Sequence, residues 1–189
     1  MSFRIIGFGL AVILLGTCTD RVNGECLDDS QIAACDEVFN PENMEETCCA
    51  PMEGYIETHN ECMRTHSTFE FTCYVSRCVT AKLRYRKTNV IDPEMVKSAF
   101  WKYNLFSPET KPLTDEITKN CLDDKYFDYV TSETYCDYNK FELCANVNAL
   151  MGCQEFYSTP SCEALAENVA ICKPVLQDYL DYLNGSGSC

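Results

Sequence analysis

Fifteen cysteines and two histidines are the side chains of this 189-residue chain with the most chemistry to offer. Any Ser–His or Cys–His catalysis would have to use His59 or His66. Neither a Gly-x-Ser-x-Gly elbow nor a His-Glu-x-x-His pattern accompanies them. His59, Cys62, His66 and Cys73 together have the residue types of a zinc site. In an exported chain such thiols are oxidised, which favours disulfides over metal ligands. No catalytic residue, metal or cofactor is therefore expected. The histidines keep two readings. They are exposed beside acidic residues, or they form a pH sensor that protonates near about pH 6 and loosens a pocket.

Export is itself read from the first residues. Arg4 supplies a positive start, and Ile5 to Gly16 is an apolar run too short to span a membrane. Val22-Asn23-Gly24 ends in a small residue, so residues 1–24 are expected to be a signal peptide cleaved before Glu25. The alternative is an uncleaved anchor. Cleavage removes Cys18 and leaves fourteen of the fifteen cysteines. An even number in an oxidising compartment implies a disulfide framework of up to seven bridges. From Cys78 onward the gaps read C-x42-C-x22-C-x8-C-x8-C-x9-C, through Cys121, Cys144, Cys153, Cys162 and Cys172, with Cys136 as an extra.

The remaining chain, residues 25–189, has the length of one domain and can bury a core of its own. The net charge is −14, so the surface repels nucleic acid and anionic membranes. No later segment is apolar for long enough to form a transmembrane helix, so no stable membrane insertion is expected. The polar tail Asn184-Gly-Ser-Gly-Ser-Cys189 does not read as a lipid-anchor signal. Asn184-Gly-Ser is an N-glycosylation sequon.

The elements that would position these residues read as helices. Glu70 to Arg86 has good helix formers and no Gly or Pro. Asp92-Pro93-Glu94 is an N-cap followed by Pro at the first helical position, and Met95, Val96, Ala99, Phe100 and Tyr103 continue as a stripe. Thr114-Asp115-Glu116 opens a helix expected to run through Cys121 to about residue 130. Leu143, Val147, Leu150 and Met151 share helical spacing, and Gly152 stops that helix. Thr159-Pro160 caps another, whose stripe Leu165, Val169, Cys172, Leu176, Tyr179 and Leu183 is interrupted by Pro174. That stripe reads as a tail helix packed on the core, or as a dimer seam. Strand signals are weak, limited to a brief alternation at Phe69-Glu-Phe-Thr. Residues 40–56 read as a loop carrying Cys48 and Cys49.

Two blocks carry a family resemblance. One is Cys73-Tyr-Val-Ser-Arg-Cys78-Val, then a helix and Asn89-Val-Ile-Asp-Pro-Glu94. The other is Cys144-Ala-Asn-Val-Asn-Ala-Leu-Met-Gly-Cys153. Both resemble the insect odorant-binding proteins. Cys162 and Cys172, with Pro174 close behind, resemble the Plus-C subfamily, which adds cysteines at both ends of a six-cysteine core. The resemblance covers roughly residues 48–174.

It implies an all-α, disulfide-stapled helical bundle around an apolar cavity, with a core of about 48–153 and a C-terminal extension over 154–189. It also implies three core bridges: Cys48 or Cys49 to Cys78, Cys73 to Cys144, and Cys121 to Cys153. On that pattern the Cys73–Cys144 bridge would matter more to stability than any bridge to the extension. One departure stands out: Cys73 and Cys78 are one residue farther apart than the family's usual spacing. On a helix that turns them about 140° apart instead of about 40°. Either a π-bulge absorbs the residue or the two cysteines face different neighbours.

The function implied is a secreted carrier that solubilises small hydrophobic odorant- or pheromone-like ligands and releases them near a chemosensory receptor, as a monomer or homodimer. The candidate lining residues are Met95, Phe100, Trp101, Leu105, Phe106, Phe127, Val147 and Leu150; plain core packing is the competing reading for each. A secreted disulfide-rich interaction protein acting through its surface is the alternative. An enzyme reading rests on Cys48-Cys49 and His59-Asn60, which resemble the cysteine-pair and histidine motif of secreted phospholipases. There the spacer is much shorter and an Asp follows the histidine, and no glycine-rich calcium loop occurs here.

Overall fold

A computed structural model describes residues 26–41, 48–66, 72–130 and 135–186. The expected signal peptide, the Phe69-Glu-Phe alternation and Cys189 lie outside them. Eight α-helices and one short β-ribbon account for most of the described chain. The fold is all-α and stapled by disulfides.

Local sequence explains where the elements begin and end. Helix α1 (Asp29–Val38) opens on a capping box, with Asp28 accepting from the Gln31 backbone and Gln31 reaching back to the Asp28 N–H. Helix α2 (Glu53–His66) follows a short 3₁₀ turn at Ala50–Met52. Helix α3 (Cys73–Lys82) is capped by Thr72 and ends earlier than its helix-forming composition implies. At its end Arg84 adopts φ 61°, and the Arg84 and Tyr85 N–H groups bond back to Ala81 and Thr80. That is a Schellman stop with arginine where glycine is usual.

The chain then forms the ribbon β1 (Arg86–Lys87) and β2 (Val90–Ile91), an antiparallel pair with Arg86 opposite Ile91. It feeds directly into α4 (Pro93–Phe106). Asp92 Oδ1 accepts from the Glu94 and Met95 N–H groups at 3.0 Å each, with Pro93 at the first position, as the sequence predicts.

Helix α5 (Lys111–Cys121) does not continue to residue 130. Asp123 and Asp124 both take left-handed backbone, and a 3₁₀ turn at Lys125–Tyr129 follows. Short acidic side chains tolerate that conformation better than most, which is the signal the apolar pattern concealed. Helix α6 (Asp137–Gly152) ends at the expected glycine. Helix α7 (Pro160–Cys172) starts on the Thr159 cap, and Pro174 sits in the 3₁₀ turn Lys173–Val175 that separates it from α8 (Leu176–Leu183).

Helix α6 is the centre. Thirteen of its residues, from Asn139 to Gly152, are buried. Helix α5 packs along one side of it, α3 along another, and α1 packs on α7. A single buried cluster runs from Cys35 and Val38 on α1 to Tyr179 and Leu180 on α8. The segment after Cys153 is thus part of the same core. Gly152 permits the closest approach. A Cβ there would meet the Pro112 carbonyl oxygen at 2.7 Å and the Leu113 Cα at 2.8 Å. So Gly152 is needed for packing against α5 as well as for ending α6.

Six described bridges staple these helices: Cys35–Cys172, Cys48–Cys162, Cys49–Cys153, Cys62–Cys78, Cys73–Cys136 and Cys121–Cys144. Cys26 is disulfide-bonded as well. Cys48, Cys49, Cys73, Cys78, Cys121, Cys144, Cys153, Cys162 and Cys172 are all oxidised, but the three implied pairings are corrected. Cys78 joins Cys62, not Cys48 or Cys49. Cys73 joins Cys136 at the start of α6, not Cys144. Cys121 joins Cys144, not Cys153. The physical reason lies in α3, which is an unbroken α-helix. With no bulge, Cys73 and Cys78 point to different neighbours, one to α6 and one to α2, and the other partners shift accordingly.

The bridge ranking reverses with the pairing. The longest loops are closed by the two bridges to α7, Cys35–Cys172 and Cys48–Cys162, with separations of 137 and 114 residues. Cys62–Cys78 closes only 16. Loop entropy predicts that replacing both cysteines of Cys35–Cys172 by serine costs about 2 kcal/mol more than the same change at Cys62–Cys78. Denaturant midpoints of the two double variants measure this, and equal losses would count against it. Gly152→Ala should lower stability by about 1–3 kcal/mol through the backbone clash. Gly54→Ala, where a Cβ meets nothing within 4 Å, should be neutral or stabilising in the same melts.

Candidate functional site

Helix α6 carries alanines at 145 and 149, one turn apart, on the face towards α2, α4 and α5. Methyl groups there do not fill the space between four helices. What remains is a cavity of about 190 Å³. Its walls are Met52 and Tyr55 around the start of α2, Leu83 and Tyr85 after α3, Phe100 and Tyr103 on α4, and Leu113, Thr114 and Ile117 on α5. Gly54 and Tyr103 are exposed members of the lining, so the cavity meets solvent on that side. The Schellman stop at Arg84 turns the chain so that Tyr85 enters the core, where its ring sits edge-on to Phe100 and Phe141.

The eight residues proposed from sequence are not brought together. Phe100 is buried and lines the cavity. Val147 and Leu150 are buried core residues on other faces of α6. Met95, Trp101, Leu105, Phe106 and Phe127 are exposed, Phe106 by 87% and Trp101 by 63%. Trp101 and Leu105 border a shallow surface groove with Lys111, while Met95 and Phe106 border another with Lys82, Arg84 and Lys102. Large apolar side chains on the helix stripes are the expected lining. Large side chains wall this void too, but it stays open where α6 presents only methyl groups, so the Ala145/Ala149 pair is the readable signal.

Beneath the cavity lies a buried polar cluster. His59 Nδ1 is 2.8 Å from Glu142 Oε1, and the Tyr55 hydroxyl donates to the same oxygen at 3.1 Å. His59 and Glu142 are each 1% exposed. The expectation of an exposed His59 is therefore wrong: its acidic neighbour is inside the protein, 83 residues away in sequence. Glu142 Oε2 and Asn146 Nδ2, one turn along α6, have no hydrogen-bond partner among the described residues. Cys62 and Cys73 are both in disulfides, and no cluster of metal-binding side chains exists among the described residues.

Several tyrosines are held neutral. Burial, then the charge of Glu142, pushes the Tyr55 phenol well above its ordinary value. Burial, with Tyr103 nearby, does the same to Tyr85. Burial, then Asp137 and Asp124, pushes Tyr126 up to about 12. Burial and the hydrogen bond to Asp36 raise Tyr179.

No family model, curated protein or solved structure matches this chain. Fold and site together define an all-α, disulfide-stapled domain with a small, mainly apolar cavity. Asn184, at the end of α8, uses its amide to donate to the Asp128 and Leu180 carbonyls.

Two predictions rest on this geometry. Glu142→Leu leaves Tyr55 and His59 without their shared acceptor and should cost about 3 kcal/mol or more. Adding His59→Leu should cost less in that background than in the wild type, by at least about 1 kcal/mol in a double-mutant cycle. Additive losses would show that the two groups do not act as a pair. The second concerns alkali. The folded tyrosines hold their protons above the unfolded value near 10.0, so their stabilisation is complete below about pH 10 and is lost as pH rises through 12. Absorbance near the phenolate band should show late tyrosines ionising only together with loss of helical circular dichroism. Full ionisation of all eleven tyrosines while the fold persists would contradict it.

Proposed function

We propose that this protein is a secreted carrier of small hydrophobic molecules, odorant- or pheromone-like in size and polarity, which it solubilises for delivery to a chemosensory receptor. The observation that carries the reading is the cavity bordered by Ala145, Ala149, Phe100 and Tyr85. A void between helices would normally collapse to recover lost dispersion contacts. Here three of the helices that border it are tied to neighbours by disulfides, α2 to α3 and α5 to α6. Apolar ligands restore those contacts and leave water. Disulfides in this number fit an oxidising, extracellular environment. Among the described residues no helix is long and apolar enough to cross a membrane. The resemblance in cysteine spacing to odorant-binding proteins suggests the same role, although the bridges formed are not the three it implies.

One observation favours the alternative of a surface-acting interaction protein. Trp101, Leu105 and Phe106 stand exposed together near the end of α4. A single experiment separates the two. Isothermal titration of straight-chain alcohols and ketones should give micromolar binding at best, about −8 kcal/mol. Affinity should rise by roughly 0.8 kcal/mol per methylene. It should stop rising near eight heavy atoms, because a void of comparable size, about 150 Å³, holds benzene. Ala149→Leu, which fills the void, should abolish binding. Trp101 emission should respond little, since the side chain points outward. Absence of saturable binding or of any chain-length trend would leave the surface reading.

A further inference from the structure

The cavity wall is mainly apolar, with a few hydroxyls among its lining residues, and one of these is buried without a partner. Tyr85 is only 6% exposed and borders the cavity, yet its hydroxyl has no hydrogen-bond partner among the described residues. Nor is its oxygen one of the fully enclosed polar atoms without a partner, which among the described residues are Glu142 Oε2 and Asn146 Nδ2. The hydroxyl therefore faces free volume, and the volume that Tyr85 borders is the cavity. Of the other lining hydroxyls, those of Tyr103 and Ser107 sit on side chains open to solvent, Tyr103 by 41% and Ser107 in part, and the rest are engaged. Tyr55 donates to Glu142, and Thr110 and Thr114 are bonded to Asn104 and to backbone carbonyls.

Resting on the carrier reading, we propose that Tyr85 is the polar anchor of the cavity. The ligand is a neutral molecule of about eight heavy atoms whose one hydrogen-bond acceptor, a carbonyl or ester oxygen, accepts a hydrogen bond from the Tyr85 hydroxyl. Two facts select this class. A buried donor left without a partner is costly, so a ligand that supplies an acceptor gains over a hydrocarbon of equal shape. No lysine, arginine, histidine, aspartate or glutamate borders the cavity, so carboxylates and ammonium ions would lose hydration with no counter-charge in return. Burial keeps the Tyr85 phenol protonated, and so a donor, throughout the physiological range.

The test compares acetophenone, ethylbenzene and benzoate by isothermal titration on the wild-type protein, Tyr85→Phe and Ala149→Leu. The anchor predicts that acetophenone binds the wild type about fivefold more tightly than ethylbenzene, the worth of one such bond. Benzoate should not bind. Tyr85→Phe should remove the preference by weakening acetophenone alone, with an unchanged melting temperature because the lost hydroxyl had no protein partner. Ala149→Leu should abolish binding of both neutral compounds. If acetophenone and ethylbenzene keep the same affinity ratio in Tyr85→Phe as in the wild type, or benzoate binds best, the anchor is overturned while the carrier reading stands. If neither neutral compound binds the wild type, or Ala149→Leu binds both normally, both proposals fall.

Discussion

Helix α6 is buried along nearly its whole length, so the polar side chains it buries are costly unless answered from inside the protein, as Asn139, Asn148 and one oxygen of Glu142 are. That constraint arranges the neighbouring helices. Asn139 donates to Ser76 on α3 at 2.9 Å. Asn148 accepts from Asn120 on α5 at 2.7 Å. Glu142 takes His59 and Tyr55 from α2. Each contact fixes one surrounding helix in register against the centre. An apolar helix of the same shape would let its neighbours slide; satisfied polar partners allow one arrangement.

The disulfides act on the same centre in a second way. Three attach directly to α6 or to the residues that bound it: Cys73–Cys136 at its start, Cys121–Cys144 in its middle and Cys49–Cys153 just past its end. The central helix is thus pinned at both ends and once between. This explains how alanines at 145 and 149 can leave space unfilled. The helix cannot move towards α2 and α4 to close it. Both the polar partners and the bridges hold α6 back from the void.

Much of the fold was legible in short-range signals. Asp92-Pro93, Thr159-Pro160, Gly152 and Pro174 each marked a boundary because capping and proline geometry are decided by adjacent residues. The end of α5 was misjudged because apolar spacing continued through Leu122, Tyr126 and Val130 while Asp123 and Asp124 had already left the helix. The pairing of cysteines was not legible at all. Whether Cys78 meets Cys62 or Cys49 depends on which helix lies across from α3, and that is a property of the assembled core. The site suffered from the same non-locality. Glu142 and His59 are distant in sequence, and neither would be read as buried alone. The apolar residues of α4 split between the cavity and the solvent, because the stripe through Val96 and Phe100 leaves Trp101 and Leu105 on the far side.

The Cys35–Cys172 bridge has a consequence of a different kind. It encloses almost the entire described fold in one covalent ring, from the middle of α1 to the end of α7. A protease that cuts one peptide bond anywhere inside that ring opens the chain without separating it. The two pieces remain one molecule, heavier by a single water, with the core helices still tied to each other. In a fluid rich in hydrolytic enzymes, such a protein survives a single cut without being dismantled, and the two pieces part only when the bridges are reduced as well.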